Sequence, residues 1–121
     1  MNTKICTSIE QSKKLLSIGL DPSTSDMHYR EWKRATKDIR IAHMGKAGKK
    51  DMPAWSLTAL LELMPDIIKV DEEYYTFSLI KNVIEYVRHD GNILYSVGGE
   101  SFVDAAVKMF ELIDNSKNTL K

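Results

Sequence analysis

The stretch Pro53-Ala54-Trp55-Ser56-Leu57-Thr58-Ala59-Leu60-Leu61-Glu62-Leu63-Met64-Pro65 is a short apolar segment that lies between two prolines. Its apolar residues recur at the spacing of one helix face, as Leu57, Leu60, Leu61 and Met64 do. A proline fits the first turn of a helix but not its interior, so we predict a helix that begins at Pro53 and ends before Pro65. We expect Leu60 and Leu61 to lie in the core. Trp55 should be a buried anchor whose indole N–H stays near the surface.

Three strand-like runs follow this helix, at Tyr74–Ile80, Val83–Arg88 and Asn92–Val97. The last two are joined through His89-Asp90-Gly91-Asn92, and the pair Asp-Gly is a strong signal for a tight hairpin. Lys81-Asn82 lies between the first two runs and is short enough to make another reversal. The pattern therefore predicts a three-stranded antiparallel meander.

A final helix is predicted after the meander. Gly98-Gly99 ends the third strand, and Ser101 with Asp104 has the pattern of a helix cap. The apolar residues that follow lie on one helix face; they are Phe102, Val103, Ala106, Val107, Phe110 and Ile113. We expect this face to cover one side of the sheet, and the polar residues 116–121 to form a frayed tail.

The N-terminal half is predicted to be less regular. Thr7-Ser8-Ile9-Glu10 has the form of a capping box, so we predict a helix over residues 7–18 with its apolar side chains on one side. Residues 27–52 have no clean helical pattern, and we predict a variable basic excursion there. Within it, Asp38–Ala42 alternates like a short edge strand, and Gly45 with Gly48 is typical of a loop.

These segments together indicate the α+β class. The predicted order is an N-terminal helix, an irregular basic excursion, a helix, a three-stranded antiparallel meander and a C-terminal helix packed on the sheet. We predict a single domain over residues 1–121, with an α-β-β-β-α core at 53–115.

Composition favours a protein of the cytoplasm. Hydrophobic residues make up 43% and charged residues 28% of the chain, which is ordinary for a globular protein. The single cysteine, Cys6, excludes an internal disulfide and fits a reducing compartment. No apolar run approaches the length of about 20 residues that a membrane helix needs, so we expect no membrane partner.

The net charge is zero, but basic residues are concentrated in one stretch. Between residues 30 and 50 lie the candidate polyanion-binding residues Arg30, Lys33, Arg34, Lys37, Arg40, Lys46, Lys49 and Lys50. Glu31 and Asp38 are the acidic residues there, so the stretch carries +6 and the rest of the chain −6. Such a stretch is typical either of a polyanion-binding arm or of a solvated connection whose lysines keep it in water.

The residues most often used in catalysis or metal binding do not form a recognisable motif. His28, His43 and His89 are scattered, without metal-ligand spacing, and Cys6 lacks a neighbouring histidine or second cysteine. The acidic run Asp71-Glu72-Glu73 precedes a strand, where a solvated junction is far commoner than a pair of catalytic acids. We therefore predict no catalytic residues, no cofactor and no metal ligand.

Four tyrosines fall in or beside the predicted strands, namely Tyr74, Tyr75, Tyr86 and Tyr95. On an open sheet face they could stack on bases or line a partner's groove, whereas alternation directs about half of the side chains of a strand toward the helices. Both interpretations remain open from the sequence.

Three strings resemble a known family: residues 53–65 above, Ser101-Phe102-Val103-Asp104-Ala105-Ala106-Val107-Lys108-Met109, and Ile5-Cys6-Thr7-Ser8-Ile9-Glu10-Gln11-Ser12-Lys13-Lys14-Leu15-Leu16. They are similar to small proteins that recur in gut Bacteroidetes and in their phages and mobile elements. That family has no assigned activity or functional residues. The resemblance implies an intracellular accessory protein, with the stretch 28–51 as a variable insert.

The order helix, three antiparallel strands, helix also resembles that of double-stranded-RNA-binding domains. Those domains place lysines at the start of the final helix, where they meet phosphates. This chain has Glu100 to Asp104 at that place, with Lys108 only later, which argues against the RNA-binding interpretation.

The sequence is compatible with three functions. The leading hypothesis is a non-enzymatic intracellular interaction module, of the phage or mobile-element accessory kind, with an unknown protein partner. The alternative is a nucleic-acid-binding protein that uses the basic stretch 30–50. The third is a small enzyme whose site forms only in the fold or across a dimer interface. An exposed apolar patch would favour the first, a continuous positive face the second, and a pocket at Asp71–Glu73 or His89 the third.

Overall fold

The computed structural model describes residues 4–30, 42–81 and 83–119, with side chains as far as residue 116. Its α-helices are α1 (Ile9–Ser17), α2 (Leu57–Leu63) and α3 (Phe102–Thr119), and a short 3-10 helix lies at Pro22–Thr24. Its strands are β1 (Met27–Tyr29), β2 (His43–Met44), β3 (Met52–Ala54), β4 (Ile67–Val70), β5 (Glu73–Ile80), β6 (Val83–Val87) and β7 (Ile93–Gly98). The predicted α+β class is confirmed.

Strands β4, β5, β6 and β7 form an antiparallel sheet in that order. The three predicted strands are confirmed as β5, β6 and β7, with ends that shift by one residue at most. The prediction of three strands was wrong, because β4 adds a fourth along β5. Asp71 and Glu72 make the two-residue turn between β4 and β5 with φ of 51° and 67°, where Asn-Gly is the usual signal. Without that signal, the sequence pattern did not reveal β4.

The C-terminal helix packs on one face of this sheet, as predicted. Helix α3 contacts β6 and β7, and α2 packs beside it. The buried residues of the predicted apolar face are Val103, Ala106, Val107, Phe110 and Ile113. The backbone N–H of Asp104 donates to Ser101 Oγ at 3.2 Å, which confirms the predicted cap. The helix continues to Thr119, further than the predicted end at residue 115, and residues 120–121 lie outside the described residues.

The prediction that Pro53 begins a helix was wrong. Pro53 lies in β3, which is an edge strand and so tolerates a residue without an N–H. The helix begins four residues later at Leu57, with Ser56 as its cap, because Ser56 Oγ accepts the backbone N–H of Ala59 at 3.2 Å. Helix α2 ends at Leu63, before Pro65, as predicted.

The prediction of an irregular excursion over residues 27–52 was also wrong for the part that the structure describes. Strands β2, β1 and β3 form a second sheet, with β1 in the centre and buried throughout its length. A small second core lies against it and contains Cys6, Met27, Tyr29, Met52 and Ala54. Of the predicted strand at residues 38–42, positions 38–41 lie outside the described residues, and Ala42 directly precedes β2.

The predicted N-terminal helix is confirmed as α1, but with a different cap. Ser8, not Thr7, is the cap residue, and its partner in the capping box is Gln11 rather than Glu10. The Thr7 hydroxyl is already used: it lies 2.8 Å from Ser12 Oγ and accepts the backbone N–H of Trp55 at 3.1 Å. The buried position of Thr7 therefore shifts the cap of α1 by one residue, and the helix begins at Ile9.

Candidate interaction surface

The four-stranded sheet has one face that the helices do not cover. Successive side chains of a strand point to opposite faces. On β6, Ile84 and Tyr86 are fully buried in the helix-covered core, so Val83, Glu85 and Val87 lie on the other side. We call this other side the open face. The strand register then assigns residues of β4, β5 and β7 to it.

Cross-strand pairing aligns the side chains of the open face in three rows that span at least three strands, and the pair Lys69 and Tyr74 lies beyond the first of them. The first row crosses all four strands and contains Ile67, Thr76, Val87 and Ile93. The second, polar row contains Ser78, Glu85 and Ser96. The third row contains Ile80, Val83 and Gly98. Two largely apolar rows thus flank a polar one.

The apolar side chains of this face are strongly exposed. Ile67, Ile80 and Ile93 are 56%, 56% and 54% exposed, and Tyr74 is 58% exposed. Among the described residues, seven large hydrophobic side chains are exposed, and these four of them share the open face. Exposed apolar side chains that gather on one face in this way are typical of interaction sites in folded proteins.

Charge is sparse on the open face. Lys69 and Glu85 are the charged residues among its described strand positions. Lys69 lies at one edge, where its Nζ is 5.6 Å from the centre of the Tyr74 ring and 3.3 Å from Glu72 Oε2. Glu85 lies near the middle, between Ser78 and Ser96. The lysine is engaged locally, so the face offers little attraction to a polyanion.

Three of the four tyrosines point away from the open face. Tyr86 is fully buried, donates its hydroxyl to the carbonyl of Pro65 at 2.7 Å and meets Phe77 edge to face. Burial raises the pKa of Tyr86 well above its ordinary value. Tyr75 and Tyr95 pack against the same core. Tyr74 alone of the four lies on the open face, so a platform of tyrosines for base stacking is not formed.

The structure describes four of the eight candidate polyanion-binding residues, and all four are exposed: Arg30, Lys46, Lys49 and Lys50. Strands β2 and β3 both run antiparallel to β1, so their connection at 45–51 crosses from one end of the small sheet to the other. Lys46 therefore lies at the end opposite to Lys49, Lys50 and Arg30.

Lys33, Arg34, Lys37 and Arg40 lie outside the described residues. Nucleic-acid binding through the stretch 30–50 stays a prediction.

The acidic run and His89 lie in turns. Asp71 and Glu72 are the turn between β4 and β5, and His89 is exposed in the connection between β6 and β7. In that connection Arg88 Nε donates to Asp90 Oδ1 at 2.9 Å, and the backbone N–H of Asn92 donates to it at 3.1 Å. These hydrogen bonds, that of Arg88 above all, lower the pKa of Asp90 below its ordinary range. The carboxylate thus stabilises a turn.

Two cavities lie away from these residues. One, of about 240 Å³, is lined by residues that follow α1, by the end of α2 and by the middle of α3, including Leu20, Leu63 and Phe110. The other, of about 360 Å³, is lined by polar and charged side chains that include Gln11, Asp104 and Lys108. Neither cavity is lined by residues 71–73 or by His89, the positions that a small enzyme was expected to use.

Two histidines that are distant in the sequence are neighbours in the fold. His28 and His43 pair across β1 and β2, and their rings stack with centres 5.7 Å apart. His28 Nδ1 is 2.9 Å from the carbonyl oxygen of Gly45. In the described ranges no third His, Cys, Asp or Glu joins a metal-binding group. The histidine pair could be predicted only from the pairing of β1 with β2, and the sequence pattern predicted neither strand.

Cys6 lies in the second small core. It is 5% exposed, and its sulfur is 3.7 Å from the Tyr29 hydroxyl. Burial raises the pKa of the Cys6 thiol, which therefore stays protonated and unreactive near neutral pH.

In the described ranges, none of the helices has both the length and the apolar character to cross a lipid bilayer. Comparison with protein-family models, with curated proteins and with solved structures finds no match to this chain. The candidate site therefore rests on geometry alone, and its best-formed feature is the open face.

Proposed function

We propose that this protein is a non-catalytic interaction module that docks onto a protein surface through its open face. The observation that carries the proposal is the apolar row Ile67, Thr76, Val87 and Ile93, which crosses all four strands in register and faces solvent. Burying apolar surface stabilises a complex by roughly 25 cal/mol for each Å² removed from water, before the costs of association. A continuous row provides that surface in one place.

The chemistry of the face favours a protein over a polyanion. Phosphate recognition needs several basic side chains, whereas Lys69 is the basic residue among the described strand positions of the open face. The polar row in the middle, with the Ser78 and Ser96 hydroxyls beside Glu85, can hydrogen-bond to a partner and fix its orientation.

We further propose that the module acts in the cytoplasm as an accessory protein of a phage or mobile element. The support for the setting is the resemblance of residues 5–16, 53–65 and 101–109 to such proteins, and the single cysteine, Cys6, that fits a reducing compartment.

Site-specific photo-crosslinking in cells that express the protein tests docking through the open face. A benzophenone side chain replaces Thr76, in the middle of the apolar row, and in a matched control it replaces Glu62, which is exposed on α2. We expect a discrete adduct from position 76 and none from position 62. The adduct should disappear when Ile93→Glu is added, because a carboxylate would then have to be buried in the row.

An adduct that forms equally at positions 62 and 76, or that persists with Ile93→Glu, would show that the open face is not the docking surface. The mass of the adduct reports what is bound. Twice the mass of the chain identifies a second copy, and any other mass identifies a different protein.

A further inference from the structure

We propose that the partner seated on the open face is a second copy of this chain, packed face to face about a two-fold axis. This inference rests on the proposed function, since it names the occupant of the same surface. It follows from a symmetry in the arrangement of the three rows.

The symmetry concerns an axis that runs parallel to the strands, between the two copies, and over the gap between β5 and β6. Rotation by half a turn about this axis places β5 of one copy over β6 of the other, and β4 over β7. Each cross-strand row keeps its level along the axis, so every row faces the same row of the second copy. Packed sheets keep their strands aligned to within about 30°, which preserves this correspondence near the axis.

The apolar rows match under this operation. In the first row, Ile67 lies opposite Ile93 of the second copy, and Thr76 lies opposite its Val87. In the third row, Ile80 lies opposite its Val83. Ile67 and Ile93, which are 56% and 54% exposed in the single chain, thus meet each other across the two-fold axis.

The polar row is also compatible with itself. Glu85 lies opposite Ser78 of the second copy rather than opposite its Glu85, because the two residues sit on strands that the axis exchanges. A carboxylate then meets a hydroxyl that can donate to it, and no pair of like charges is forced together. Lys69 and Tyr74 lie beyond the first row, next to the turn between β4 and β5, and so outside the three matched rows.

The area of the open face indicates how stable the dimer is. Four strands about 4.8 Å apart and rows that extend over about 13 Å give a footprint of roughly 250 Å² on each copy, which is smaller than that of a stable interface. We therefore infer a weak dimer that exchanges with monomer.

Analytical ultracentrifugation of the purified full chain between about 2 and 200 µM tests the dimer. We expect concentration-dependent dimerisation that Ile67→Glu and Ile93→Glu each weaken at least tenfold. Ile5→Glu is the control, since Ile5 is 68% exposed and lies outside the sheet, and it should leave the dimer unchanged. Thermal melts of each variant at low concentration check that it is folded.

If the wild-type chain stays monomeric at the highest concentration, the proposal that a second copy occupies the open face is wrong. It is also wrong if Ile5→Glu disrupts the dimer and the sheet variants spare it. The proposed function is judged separately: a crosslink from position 76 to a different protein keeps docking through the open face, and the absence of any adduct removes both.

Discussion

Trp55 joins three parts of the chain through its hydrogen bonds. Its backbone N–H donates to Thr7 Oγ1 at 3.1 Å, and its carbonyl accepts the backbone N–H of Thr7 at 3.0 Å. Its indole N–H donates to Thr24 Oγ1 at 3.0 Å, while the ring itself is fully buried. The Asp26 carboxylate holds the next residue, since it accepts the backbone N–H of Ser56 at 2.8 Å. Polar groups thus fix where the apolar helix α2 begins.

Two neighbouring leucines in α2 should differ in their contribution to stability. Leu60 is fully buried, whereas Leu61 is only half-buried. We expect Leu60→Ala to reduce the free energy of unfolding by about 2–5 kcal/mol, and Leu61→Ala by about 1 kcal/mol. Urea denaturation of both variants measures the difference. Equal losses would mean that α2 is rotated relative to the core.

The turns differ in how well they can be predicted from their sequences. Asp90-Gly91 was predicted as a turn because Gly91 supplies the positive φ, here 92°, that such turns need. Asp71 and Glu72 adopt positive φ without a glycine, held by the pairing of β4 with β5 on either side. A proline in an edge strand cannot be told from a proline at a helix start by its sequence pattern. Only the pairing of β3 with β1 makes Pro53 a strand residue. Local chemistry predicted the capped helices, and long-range pairing decided the rest.

The turn between β4 and β5 should be improved by glycine. Glu72 has φ of 67°, which costs a residue with a Cβ more than it costs glycine. We expect Glu72→Gly to raise the free energy of unfolding by about 0.5–1 kcal/mol, despite the loss of its exposed ion pair with Lys69. Glu73→Gly is the matched control and should lower stability, because Glu73 begins β5. Thermal melts that rank the two variants the other way would contradict the turn geometry.

The N-terminal segment and the first turn of α3 meet at one carboxylate. Lys4 Nζ lies 2.9 Å from Asp104 Oδ1, and Gln11 Nε2 donates to the same oxygen at 2.8 Å. Partial burial raises the pKa of Asp104, but the hydrogen bonds from Lys4 and Gln11 lower it further, so its net pKa lies below the ordinary value. This carboxylate ties the N-terminal segment and α1 to the start of α3.

The Asp104 cluster should make the protein sensitive to acid. A carboxyl group whose pKa is lower in the folded than in the unfolded chain stabilises the fold above its unfolded pKa, and this contribution is lost as the pH falls through the folded pKa. We therefore expect the wild type to lose stability between about pH 5 and pH 3 more steeply than Asp104→Asn does. Urea melts at several pH values measure both slopes.

Lys4→Met provides the check on this cause, because it removes one donor and leaves the carboxyl group in place. It should reduce the same acid-dependent loss. An Asp104→Asn variant with an unchanged slope would assign the acid sensitivity to other carboxylates.

At the level of the whole molecule, the open face could not be predicted from the sequence. The alternation of β5 and β6 could be seen in the sequence, but not which set of alternate residues meets the helices. Tyr75, Tyr86 and Tyr95 could have lain on either face, and their burial settled the question. The row through Ile67 also needs β4, the strand that the sequence did not predict. An interaction surface that depends on register across four strands is visible only in the fold.

The contact between Lys4 and Asp104 joins residues that are 100 positions apart, and that between Thr7 and Trp55 spans 48 positions. Contacts of such high sequence separation form slowly, whereas neighbouring strands of a meander pair early. During synthesis, Thr7 can meet Trp55 before α3 is made, but Lys4 cannot meet Asp104 until the start of α3 has left the ribosome. Until then the apolar residues of α1 and of the β4–β7 sheet are available to chaperones.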